Sequence, residues 1–111
     1  MAQEIKLLVY SVKDLEKAKK FYSKFLGVEP YADSPYYVGF KTGELEVGLD
    51  PNSKSPGPIG YIDVKDIAIY LRELVDSGAE ILQDIRDVGQ GLLIAQVKDA
   101  DGNILGLRQS P

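Results

Sequence analysis

Two periods of apolar residues alternate along the chain, and the change from one to the other occurs twice. Residues 4–12 repeat with period two. Leu8, Tyr10 and Val12 share one face and Ile5, Leu7 and Val9 the other, which predicts a strand covered on both sides. From Asp14 to about Leu26 the spacing becomes helical, with Leu15, Ala18, Phe21, Tyr22 and Phe25 as an inward stripe. Lys13, Lys17, Lys19, Lys20 and Lys24 make its solvated face. Asp14 is placed to cap the helix, because its carboxylate can accept from free N–H groups of the first turn and suits the positive end of the helix dipole. Gly27 is placed to end it in the left-handed conformation.

Val28 to Ala32 predicts a short strand, Asp33-Ser34-Pro35 a turn and Tyr36 to Lys41 another strand. After Thr42-Gly43, alternation sets Leu45, Val47 and Leu49 against Glu44 and Glu46 on the opposite face. A segment of three prolines, a glycine and two serines then runs from Asp50 to Pro58 and reads as a linker.

The plan recurs beyond it. Val12-Lys13-Asp14 is answered 52 residues later by Val64-Lys65-Asp66, again at the end of a strand (Ile59 to Val64) and the start of a helix (Asp66 to Ser77). In that helix Ile67, Tyr70, Leu71, Leu74 and Val75 are expected inward, with Gly78 as its cap. Strands follow at Ala79 to Ile85, Leu92 to Lys98 and Ile104 to Arg108, with turns at Asp87 to Gly91 and Asp99 to Asn103. The order strand-helix-strand-strand-strand, twice, predicts an α+β fold of two βαβββ modules with mostly antiparallel sheets, one helix backing each. The expected layout is a single domain over residues 1–111, with module one at about 1–50, a linker at 51–58 and module two at about 59–111.

Charge and composition exclude several functions. The net charge is −4 and no basic tract occurs, which argues against nucleic acid as a partner. There are no cysteines, hence no disulfide framework and no thiolate chemistry. No membrane span or signal sequence is read, so the expected location is cytoplasmic. Histidine is absent, which removes the commonest general base and metal ligand together with every Ser-His or Cys-His arrangement.

Three stretches together resemble the vicinal oxygen chelate superfamily, which includes glyoxalase I, extradiol dioxygenases and bleomycin-resistance proteins. They are Val12-Lys13-Asp14-Leu15-Glu16-Lys17-Ala18-Lys19-Lys20-Phe21-Tyr22 with Leu26-Gly27-Val28, then Val64-Lys65-Asp66-Ile67 with Gly78-Ala79-Glu80-Ile81, and Lys98-Asp99-Ala100-Asp101-Gly102-Asn103. The resemblance implies curled sheets that pair around a cavity. It also implies four inward-facing metal-donor positions, which map to Leu7, Ile59, Glu46 and Gly106. One of these four keeps a ligand-capable side chain, whereas a catalytic divalent metal needs about three protein donors. No metal and no other cofactor is therefore expected.

If inward faces follow Leu7, Ile59 and Gly106, then Tyr61, Asp63 and Arg108 join them, with Glu44, Glu46 and Tyr37 nearby. Apolar walls with a few acids, tyrosines and one guanidinium suit a small organic ligand. The expected function is metal-free binding of a small molecule, such as a cationic or aromatic compound held by charge and cation–π contact. The alternative is a metal-independent lyase or isomerase using carboxylate–tyrosine acid–base chemistry, with Glu46 as the catalytic base. Apolar sheet edges further predict a homodimer.

Overall fold

The computed structural model describes residues 3–111. Its elements run β1 (Ile5–Ser11), α1 (Leu15–Leu26), β2 (Ala32–Asp33), β3 (Val38–Thr42), β4 (Leu45–Asp50), β5 (Ile59–Asp63), α2 (Ile67–Asp76), β6 (Glu80–Asp87), β7 (Leu93–Lys98) and β8 (Ile104–Gln109). Among the described residues the fold is thus mixed α+β, with eight strands and two helices. The chain divides into two compact units, the first Lys6–Ile59 and the second Gly60–Pro111 with the segment that ends at Ile5.

In the first unit the strand order is β2-β3-β4-β1. β1 runs parallel to β4, with Leu7 opposite Glu46 and Val9 opposite Gly48, and β3 is antiparallel to β4. Val38, Phe40, Val47 and Leu49 are buried under α1, where Tyr10, Val12, Leu15, Ala18, Tyr22 and Leu26 pack on them. Asp14 caps the helix by accepting from the Lys17 amide at 3.1 Å, and Gly27 closes it at φ 73°.

Phe21 and Phe25 depart from the expected inward stripe: they are 64% and 70% exposed. The residues that cover the sheet fall at 15, 18, 22 and 26, and Phe21 and Phe25 each precede one of these. One residue is about 100° of helix rotation, so both rings are carried off the buried face. They stack on each other instead, with centroids 6.3 Å apart.

The strand expected at Val28 to Ala32 shrinks to Ala32–Asp33, consistent with Pro30 being unable to donate to a ladder. The strand expected from Tyr36 starts only at Val38, because Ser34 holds the preceding turn. The Ser34 hydroxyl accepts from the Tyr36 and Tyr37 amides at 3.2 and 3.1 Å.

In the second unit the order is β5-β8-β7-β6, with β5 parallel to β8 and the other neighbours antiparallel. Ile67, Leu71, Ala95, Val97 and Leu107 form its core, with Ile62, Tyr70 and Leu74 packed around them. Asp66 caps α2 through the Ile69 amide at 3.1 Å. The cap at the other end is Ser77 rather than Gly78, and Gly78 follows at φ 109°. Val75, expected inward, is exposed at the α2 flank. No helix of the described residues is long and apolar enough to cross a membrane.

Candidate functional site

Each unit uses one sheet face for its helix, and strand alternation fixes what stands on the other. In the first unit Val47 and Leu49 point to α1, so Glu46 and Gly48 lie on the open face of β4. Gly39 and Lys41 alternate out of β3 in the same way, and Leu7 and Val9 out of β1. Leu7 and Glu46 are direct partners across β1 and β4. Glu44, expected beside Glu46, lies instead in the turn between β3 and β4 and is exposed.

Two tyrosines close this face over two glycines. The Tyr37 hydroxyl reaches Gly48 so closely that a Cβ there would stand 2.0 Å from it. The Tyr31 ring lies over Gly39, where a Cβ would meet ring atoms at 3.1 Å. Gly39 and Gly48 are themselves opposite one another in the β3–β4 ladder. Tyr31 is 49% exposed, its hydroxyl donates to the Glu46 carboxylate, and the Lys41 ammonium sits 4.8 Å from its ring centroid.

In the second unit Ala95, Val97 and Leu107 face α2, which puts Tyr61 and Asp63, Gly106 and Arg108, and Gln96 on the open side. Tyr61, 5% exposed, lies across Gly106, its direct partner on β8. The Gln96 amide donates to the Tyr61 hydroxyl at 2.8 Å. Asp63 and Arg108 are also register partners and form a two-pronged ion pair at 2.7 and 3.2 Å. The pair is held on rigid strands, with the Arg108 side chain 13% exposed and Asp63 42%.

The donor positions expected from the resemblance are Leu7, Ile59, Glu46 and Gly106. Leu7 is opposite Glu46 in the first unit, and Gly106 is opposite Tyr61 in the second. Leu7 and Ile59 are buried alkyl side chains, Gly106 lies under Tyr61, and Glu46 brings the one carboxylate. One carboxylate falls short of the roughly three protein donors a catalytic divalent metal needs, so these residues do not fit such a metal. Among the described residues no group of three or more acids stands where it could hold a metal ion.

Of the nine residues singled out from sequence, Leu7, Tyr37 and Glu46 belong to the first unit's open face, and Tyr61, Asp63, Gly106 and Arg108 to the second's. Ile59 opens β5 and is buried. Tyr31, Lys41, Gly39, Gly48 and Gln96 are additions from the structure. Glycine inside a strand signals close approach of another group, so Gly39 and Gly48 carried a readable sign. Tyr31 and Gln96 carried none, because their roles depend on chain reversals that bring distant residues together.

This topology is that of a mixed α+β scaffold with one helix packed on each unit's sheet. A family model described as the Glyoxalase/Bleomycin resistance protein/Dioxygenase superfamily matches residues 4–107, and the chain belongs to that superfamily. No curated protein matches it.

Solved structures share the fold at low identity. An NAD-dependent benzaldehyde dehydrogenase from Legionella pneumophila is 22% identical, with a TM-score of 0.77 over 95% of this chain and 98% of that one. A hypothetical protein from Bacillus halodurans C-125 is 16% identical, with a TM-score of 0.80 over 100% and 96%. Streptomyces coelicolor methylmalonyl-CoA epimerase, in complex with 2-nitronate-propionyl-CoA, is 17% identical, with a TM-score of 0.75 over 99% of each chain. A dehydrogenase and an epimerase among the neighbours show that this fold does not choose the chemistry, so function has to be argued from the side chains.

Proposed function

We propose that this chain is a small-molecule-binding protein that takes a cationic or aromatic organic ligand at the open sheet face of its first unit, without a protein-bound metal. The observation that carries the reading is the Tyr31–Glu46 pair with Lys41 at the ring. An aromatic face beside a carboxylate attracts cations by both quadrupole and charge. In this molecule the surface already holds an ammonium, that of Lys41, which a ligand cation would displace. Tyr37, over Gly48 on the same face, adds aromatic wall. A homodimer belongs to the same reading, supported by the aromatic and aliphatic side chains that α1 and β6 leave exposed.

The test is a fluorescence or calorimetric titration with flat aromatic cations and their neutral isosteres, on the wild type, Glu46→Gln and Lys41→Met. The expected result is tighter cation binding in Lys41→Met and at least tenfold weaker cation binding in Glu46→Gln, with neutral isosteres unchanged. Equal loss for charged and neutral ligands would sink the cation-binding reading. A second reading, a metal-independent lyase or isomerase, draws on the same hydrogen bond, since a carboxylate touching a phenol is a possible base–acid pair. Under that reading Glu46→Gln abolishes turnover while leaving substrate affinity largely intact.

A further inference from the structure

The two units expose surfaces of opposite character. On α1, Phe21 and Phe25 stand 64% and 70% exposed and stack with their planes 6° apart. At roughly 200 Å² for a whole phenylalanine, this leaves about 270 Å² of phenylalanine surface in water. Helical spacing places Lys17 and Lys24 beside the pair, and residues 13–24 carry five lysines against two acids.

The second unit has a recess instead of a ridge. Between α2 and β6 runs a groove of about 470 Å³ walled by Leu71, Val75, Ile81 and Ile85, with Asp76 and Asp84 on its rim. Val75 and Ile81 are exposed there although both are aliphatic. Arg72 is the one cation among the lining residues, and residues 66–87 carry six acids against two arginines.

We propose that the Phe21–Phe25 ridge of one copy docks in the α2–β6 groove of a second copy, with Lys17 and Lys24 set against Asp76 and Asp84. This deepens the homodimer part of the proposed function and does not involve the ligand site. Shape and charge agree: a stacked aromatic pair fills an apolar recess, and a basic surround meets an acidic one. The interface joins different patches, so it closes as a twofold dimer when both copies dock reciprocally and continues head to tail when they do not. Its charged rim makes association weaken as salt rises.

The test is sedimentation of the full chain over a concentration series at low and high salt, with three variants. They are Phe21→Ser/Phe25→Ser, Lys17→Glu/Lys24→Glu and Asp76→Lys/Asp84→Lys. All six side chains are on the surface, and circular dichroism checks that each variant folds. The expected result is at least tenfold weaker association in each variant alone, and recovery when the two charge-reversed proteins are mixed, since reversed rim then meets reversed rim. A dimer that persists in all three variants overturns this interface while leaving a homodimer. A chain that is monomeric throughout overturns both. A monomer that binds anionic vesicles through Phe21 and Phe25 assigns the ridge to a membrane surface and overturns the proposal.

Discussion

The Tyr61 ring lies so close over Gly106 that a Cβ at residue 106 would stand 2.3 Å from ring atom Cδ2 and 2.6 Å from Cγ. Cγ is the base of the ring, so no small rotation of a flexible tip relieves the contact, and Tyr61 is buried. The space beside residue 106 on the open side of β8 is thereby occupied by an aromatic face.

Gly106→Ala is expected to destabilise the protein by about 1–3 kcal/mol through overpacking. In a Tyr61→Ala background the same change is expected to cost less than about 0.5 kcal/mol, because the clash is gone. Urea unfolding of the four proteins checks this. Independent, additive costs would rule out the contact as the cause.

The two helix starts rest on single carboxylates. Asp14→Ala and Asp66→Ala each remove the acceptor for one first-turn amide and are each expected to lower stability by about 1 kcal/mol. Thermal melts followed at 222 nm report it, and replacement by Ser or Asn should restore most of the loss.

The Asp63–Arg108 pair is held by the planar fork of the guanidinium. Arg108→Lys keeps the charge but loses the two-pronged geometry, and is expected to cost less than about 1 kcal/mol. Coupling between the two residues in a double-mutant cycle is expected below about 1 kcal/mol, since Asp63 remains 42% exposed and screened by solvent.

Asp99 organises the β7–β8 turn. Hydrogen bonds from the Asn103 side chain and backbone amide hold its carboxyl below the usual carboxylate range. A depressed carboxyl stabilises the fold above its unfolded-state pKa, and that contribution disappears as pH falls through the lower folded-state value. Acid titration of stability is therefore expected to be steeper for the wild type than for Asn103→Ala, with the difference confined to the acid limb below the ordinary aspartate pKa. Identical acid limbs would show that the turn plays no part.

The order of elements was legible because it depends on local period. Residues two apart on a strand, and three or four apart on a helix, report the buried face without knowledge of what buries it. Asp14, Asp66 and Gly27 likewise act within one turn of their own position. That Leu7, Ile59 and Gly106 bring no side-chain donor atom was also plain, because it depends on residue identity alone.

Tertiary structure decided what depends on register and on rotation around a helix. That Leu7 stands opposite Glu46 and Val9 opposite Gly48 is fixed only by the pairing of β1 with β4. The outward turn of Phe21 and Phe25 follows from where the sheet lies relative to α1, a matter of about 100° that an apolar stripe five residues wide left open. Tyr31 meets Glu46, and Tyr61 meets Gln96, only because the chain reverses between them. Local patterns thus determined which elements form; packing between distant residues, where a side chain's neighbours come from other strands, determined which groups share a site.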